Sequence, residues 1–173
     1  MTTSFEPIID KNCKILILGT MPSVMSLEKQ QYYGNKRNQF WKIIYGLFNK
    51  EVEEDYENRK TFLLNQHIAI WDVLKSCDRE GSSDSKIINP VSNDFETFFN
   101  QYPGIKTVFF NGSKAEELFI KLVIGKMCFK EGLLFYRLPS TSPANAIRFK
   151  DKLEQWKVIL SYLDSLIIAS KHL

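Results

Sequence analysis

The stretch "KILILGT", Lys14–Thr20, is a run of aliphatic residues closed by a glycine. A strand that is apolar at every position, rather than at every second one, must be covered on both faces. That is the pattern of a parallel sheet. "HIAIWDV" (His67–Val73), "IKTVFFNG" (Ile105–Gly112) and "LLFYRLPS" (Leu133–Ser140) read alike. Helical patterns lie between them. Phe40, Ile43, Ile44, Leu47 and Phe48 share one helix face. Glu53–Asn65 is charged and helix-compatible, and Phe95–Tyr102 follows. Ser113–Val123 opens with Ser113 and Glu116 spaced as a capping box. A last helix is expected over Phe149–Ser170, with Leu153, Trp156, Leu160, Leu163 and Ile167 on its apolar side. Alternating strands and helices predict an α/β fold, a three-layer α/β/α sandwich on a central, mainly parallel four-stranded sheet. A length of 173 residues suits a single domain over residues 1–173. The polar stretch Ser76–Asp94 reads as the longest loop.

Several functional classes are excluded or weakened. The cysteines Cys13, Cys77 and Cys128 are odd in number and widely spaced, so neither a disulfide framework nor a zinc or iron–sulfur site is indicated. The start "MTTSFEPIIDKN" has no apolar core of a signal peptide, and no run approaches the roughly 20 residues of a membrane span. A cytoplasmic protein is expected, with no membrane partner, no metal and no organic cofactor. Histidine chemistry would rest on His67, which enters a strand and reads as structural, because His172 is next to last. Net charge is only +3, so nucleic-acid binding would need a local basic face.

In doubly wound sheets, ligands sit beyond the carboxyl ends of the strands. Four segments therefore converge on one rim: "GTMPS" (Gly19–Ser23), "WDVLKSCDREGSSDS" (Trp71–Ser85), "NGSKAEE" (Asn111–Glu117) and "LPSTSPANA" (Leu138–Ala146). "GTMPS" lacks the glycine spacing of a dinucleotide or P-loop cradle. In "LPSTSPANA", Ser140, Thr141 and Ser142 alternate with stiffening prolines and offer donors to phosphate oxygens. The same residues also suit a capping loop before the last helix. Arg148, Lys150 and Lys152 extend a phosphate-binding face or begin a solvated helix. Ahead of the Phe40 helix, "QYYGNKRNQFW" (Gln31–Trp41) crowds rings, amides and cations together. Asn38 reads as a helix N-cap. Tyr32 or Tyr33 can stack on a base or fill the core.

Taken together, these motifs resemble the uracil-DNA glycosylase superfamily. In its mismatch-specific branch a strand ends in G-I-N-P-G and P-x-N-x-F-W opens the next helix. Here the counterparts are "GTMPS" and "KRNQFW". The hypoxanthine-DNA glycosylase (deoxyinosine glycosylase) branch is more similar still. Its motifs look like "GTMPSVMSLEKQQYYGNKRNQFW", "WDVLKSCDREGSSDSKI" and "LPSTSPANA" as they stand here, in that order, from about Ile15 to Leu163. Met21 stands where the mismatch-specific branch has its catalytic Asn, and Leu138 where most of the superfamily has His or Asn. The hypoxanthine branch shares both departures. Lys36 replaces a proline of its P-R-N segment.

The resemblance implies a monofunctional glycosylase that hydrolyses the N-glycosidic bond of a flipped, deaminated base, hypoxanthine first and uracil second, leaving an abasic site. The P-R-N segment assigns the catalytic role to Asn38, holding a water. Tyr33 would stack on the base. Thr20, Met21, Pro22, Ser23, Gly34, Phe40 and Asn111 would complete the base pocket, and Asp72 and Asp84 would serve as helpers or braces. Ser140, Thr141, Ser142, Pro143, Ala144 and Asn145 would grip phosphates and fill the vacated stack, with Arg37 and Arg148 facing the DNA backbone. The partner would be double-stranded or single-stranded DNA carrying a deaminated base, bound by a monomer. Two other readings stay open: a weak or inactive nucleic-acid-binding member, and a small-molecule nucleoside or nucleotide N-glycosidase.

Overall fold

The aliphatic run near the N-terminus forms a strand with all five residues, Ile15–Gly19, buried. The computed structural model describes residues 1–170, and His172 lies outside them. In chain order the elements begin with β1 (Thr2–Thr3), β2 (Ile15–Gly19), α1 (Val24–Lys29), α2 (Phe40–Leu47), α3 (Tyr56–Asn65), β3 (Ile68–Asp72) and β4 (Leu74–Asp78). A 3₁₀ turn at Asp84–Lys86 leads to β5 (Ile88–Ser92), α4 (Phe95–Gln101), β6 (Thr107–Asn111), α5 (Ser113–Leu122) and β7 (Leu134–Leu138). The chain closes with α6 (Phe149–Trp156) and α7 (Val158–Ser170).

The four expected strands make one wholly parallel sheet in the order β3-β2-β6-β7. β3 is buried throughout like β2, which requires cover on both faces. Helices α3 and α5 lie against β3 and β6, and α2 packs on α6. The open edge of β3 is shielded by a bridge from Ile8 to Ile70. Register aligns the strand ends. Gly19 lies beside Asp72, Leu18 beside Phe110, and Asn111 beside Leu138. Gly19, Asp72, Asn111 and Leu138 thus form a row along the carboxyl rim.

Rings fill much of the interior. Tyr45 of α2 stacks on Phe62 of α3 at 4.1 Å. Phe95, Phe119, Phe129 and Phe135 meet edge-on or tilted on the other side. Each such ring fully buried contributes about 1.5–3 kcal/mol before entropy is counted.

Three expectations are corrected. Ser76–Asp94 is not a plain loop: β4 and β5 pair antiparallel with bulges, and β1 adds to the outer side of β4. Both strands are short and carry polar residues rather than an aliphatic run, and Pro90 sits in the exposed outer strand β5, where proline is tolerated. Ser113 is the first helical residue rather than the cap. Gly112 holds the cap position at φ 98°, and Glu116 pairs with Arg137 at 3.2 Å. The last helix breaks at Lys157, so that Trp156 turns toward Phe40 while Tyr162 packs on Phe109 and Tyr136. Among the described residues no helix is long and apolar enough to cross a membrane.

Candidate active site

The four rim segments meet around one cleft of about 1020 Å³. That is the upper end of the roughly 300–1,000 Å³ typical of ligand sites. Thr20, Met21, Pro22 and Ser23 line one wall; Tyr33 and Asn38 line a second; Asp72 and Asp84 lie on a third. Asn111 and the loop Ser140, Thr141, Ser142, Pro143, Ala144 and Asn145 complete it. Residues far apart in the chain are thus brought together as expected. Four expected site residues do not reach the cleft. Phe40 is fully buried behind Tyr33, and Gly34 is buried with its N–H donating to Ser26 Oγ at 3.1 Å. Arg37 and Arg148 are exposed beyond the rim.

Tyr33 is held by three constraints. Its backbone is in the left-handed region at φ 55°, a conformation that costs a side-chain-bearing residue about 1 kcal/mol or more. Its ring stacks on Phe40 at 3.8 Å with 14° between planes. Its hydroxyl accepts from Asn111 Nδ2 at 3.2 Å. A ring pinned this way can present its free face to a ligand with little further ordering.

Asn111 is a clamp. Its Oδ1 accepts from Thr141 N at 2.9 Å, and its Nδ2 donates to Thr141 Oγ1 at 2.9 Å as well as to Tyr33. The end of β6 thereby fastens the Ser140–Asn145 loop. Gly112 makes this approach possible, since a Cβ there would lie 2.9 Å from Ser140 Cβ. The Trp156 indole N–H donates to Pro139 O at 2.9 Å and secures the loop from α6.

Asn38 sits one residue ahead of the formal N-cap of α2, Gln39. Its Oδ1 accepts from Phe40 N at 2.9 Å, so it satisfies a first-turn donor as a cap would. Amide oxygens have two lone pairs, and this bond uses one. Lys152, a candidate phosphate contact from the sequence, is buried instead. Its Nζ donates to Gln39 Oε1 and Asn145 O, both at 3.0 Å, which ties α2 to the Ser140–Asn145 loop. Burial pulls its pKa down.

Charge on the third wall is arranged around Arg79, a residue given no role from the sequence. Its side chain is 1% exposed, its guanidinium bonds the carbonyl of Pro22, and it pairs with Asp84 at 3.4 Å. The only local signal was its place in the "CDREGSSDS" motif. Burial raises the Asp84 pKa, while Thr20, Arg79 and Lys114 oppose the rise. Asp72 is 4% exposed, and its pKa is pushed up to about 8 by burial first and by Asp84 second, against the pull of Arg79. His67 lies at the opposite, amino end of β3, its Nδ1 3.1 Å from Asn12 O, which agrees with a structural role.

A model of the uracil DNA glycosylase superfamily matches residues 6–164. The chain is similar to a hypoxanthine DNA glycosylase of Methanosarcina acetivorans, 36% identical over 159 residues that span 91% of this chain and 97% of that protein. A hypoxanthine DNA glycosylase of Methanosarcina barkeri is 35% identical over 153 residues, 88% and 93% of the two chains. The solution NMR structure of a candidate uracil DNA glycosylase from Methanosarcina acetivorans superposes with a TM-score of 0.79 at 36% identity, covering 94% of this chain and 98% of the other. With sequence and fold matching along nearly its whole length, the chain belongs to the uracil DNA glycosylase superfamily.

Proposed function

We propose that this DNA glycosylase is monofunctional, excising hypoxanthine first and uracil second from DNA and leaving an abasic site. The observation that carries the reading is that Asn38 and the Ser140–Asn145 loop line the same cleft, beside a ring that is already immobilised. A base inside a duplex cannot reach such a cleft, so it is extruded first, at a cost of a few kcal/mol. The Ser140–Asn145 loop, braced by Asn111, Lys152 and Trp156, meets the backbone and the gap left in the stack. Tyr33 stacks on the extruded base, backed by Phe40.

Bond cleavage at C1′ proceeds through an oxocarbenium-like state. Asn38 holds a water with the lone pair of Oδ1 that Phe40 leaves free, a positioning effect. An amide is a poor base, so it orients the water rather than taking its proton. Backbone donors of Thr20–Ser23 stabilise charge on the departing base, the kind of preoriented dipole that usually contributes most. Asp84, locked to Arg79, braces that loop through Thr20 and Pro22.

The experiment uses labelled duplexes with one deoxyinosine or one deoxyuridine, incubated with purified protein and then cleaved by alkali. Strand breaks at the modified site are expected only after alkali. Tight binding without product from either duplex would reduce the protein to a binding module. Cleavage of free inosine but not of duplex would make it a nucleoside hydrolase.

A further inference from the structure

Asp72 has a position that bracing does not explain. It ends β3 beside Gly19. Its Oδ1 lies only 2.6 Å from where a Gly19 Cβ would be, with the Tyr33 hydroxyl 3.2 Å from the same point. The carboxyl group and the stacking tyrosine thus converge over a glycine that gives them room. Oδ2 is buried and has no hydrogen-bond partner among the described residues. The near cation, Arg79, is committed to Asp84 and Pro22. A lone ionised carboxylate in such a place is costly, so the group keeps its proton instead.

We propose that Asp72 is a second catalytic residue: its neutral carboxyl group donates a hydrogen bond to an acceptor atom of the extruded base and hands over its proton as the glycosidic bond breaks. The proposal rests on the glycosylase reading above. As C1′–N cleaves, the electron pair leaves with the base, and the Asp72 proton neutralises it at a ring nitrogen or exocyclic oxygen. The water held by Asn38 adds its oxygen to C1′ and releases one proton to solvent. The Asp72 carboxylate then regains a proton from solvent, so the net change is hydrolysis. The ionisable groups that face Asp72 are Asp84 and Arg79 from the β4–β5 connection and Tyr32 and Tyr33 from the segment before α2, while Lys114 of α5 faces Asp84. Burial and Asp84 outweigh Arg79, which keeps the acid form present at neutral pH.

The test is the single-turnover rate on a deoxyinosine duplex from pH 5 to 10 for wild type and Asp72→Asn. Asparagine can still donate a hydrogen bond but cannot surrender a proton. Wild type is expected to lose about tenfold per pH unit above pH ~8, the behaviour of a single essential acid. Asp72→Asn is expected to be about a hundredfold slower at pH 7, with no alkaline fall. An unchanged alkaline limb in the variant, or a rate within threefold of wild type, overturns the proposal and leaves the glycosylase reading standing. Absence of cleavage by wild type on deoxyinosine and deoxyuridine duplexes removes both. A ¹³C carboxyl titration of wild type needs no variant to fold. An Asp72 midpoint near 8 supports the proposal, and one in the ordinary carboxylate range overturns it.

Discussion

The proposed function gives Asn38 two jobs that usually fall to different residues. Its Oδ1 closes the first turn of α2 by accepting from Phe40 N, and the residue lines the cleft. A residue fixed at a helix start has few positions to sample, which suits an amide that must hold one water still. Asn38→Ala is expected to cost about a hundredfold or more in single-turnover cleavage, the scale of losing one oriented transition-state group. The accompanying stability loss should be only about 1 kcal/mol, as for a lost cap. Near-normal cleavage together with a lower melting temperature would leave Asn38 as a cap alone. Gly112 makes a sharper structural prediction. Alanine there would place its Cβ 2.9 Å from Ser140 Cβ, at a φ of 98° that side chains avoid. We expect Gly112→Ala to lower stability by about 1–3 kcal/mol in urea unfolding and to weaken DNA binding, because the strain falls on the recognition loop.

At the level of elements, the loop after β7 is held from several sides rather than by its own residues. β6 clamps it through Asn111, α6 through Trp156 and Lys152, and α2 accepts from Lys152 through Gln39. Trp156→Phe keeps most of the buried volume but removes the bond to Pro139. Its expected effect is a stability loss of about 1–3 kcal/mol from the unpaired carbonyl, with a slower cleavage rate. Equal cleavage rates in the two proteins would show that this anchor does not set the loop. The chain spelled out the elements unequally. β2, β3 and β6 were legible because each carries an unbroken apolar run, with polar residues only at the ends of β3 and β6. The β4–β5 hairpin was not, because its pairing is a contact between surfaces that leave no local period. The break at Lys157 leaves no mark in the sequence for a similar reason: the apolar pattern continues through it, and only the separate packing targets of Trp156 and Tyr162 require the turn.

For the whole molecule, charge sets two expectations. With net charge of only +3, affinity for DNA must come from local cations such as Arg37 and Arg148. Arg148 is paired with Asp151 at 2.8 Å, but its side chain is 85% exposed, and so open a pair competes weakly with a phosphate. Arg37→Ala and Arg148→Ala should each weaken binding for any duplex and reduce the slope of log K against log salt by about 1. Stability should also depend on pH through Asp72. Its folded pKa, about 8, lies above the unfolded value near 3.8. Between those values the folded state binds the extra proton, so stability falls as pH rises toward 8. Asp72→Asn should be less sensitive than wild type when urea midpoints at pH 5 and pH 9 are compared. By itself the sequence determined the parallel sheet, the rim at its carboxyl end and the loops that gather there, because aliphatic runs and turn residues are local signals. Only the tertiary structure decided which charges would be buried. Lys152 turned inward, Arg79 became the brace of the Pro22 loop, and Oδ2 of Asp72 was left without a hydrogen-bond partner among the described residues. Desolvation depends on what the rest of the chain packs against a group, and no short stretch of sequence carries that information.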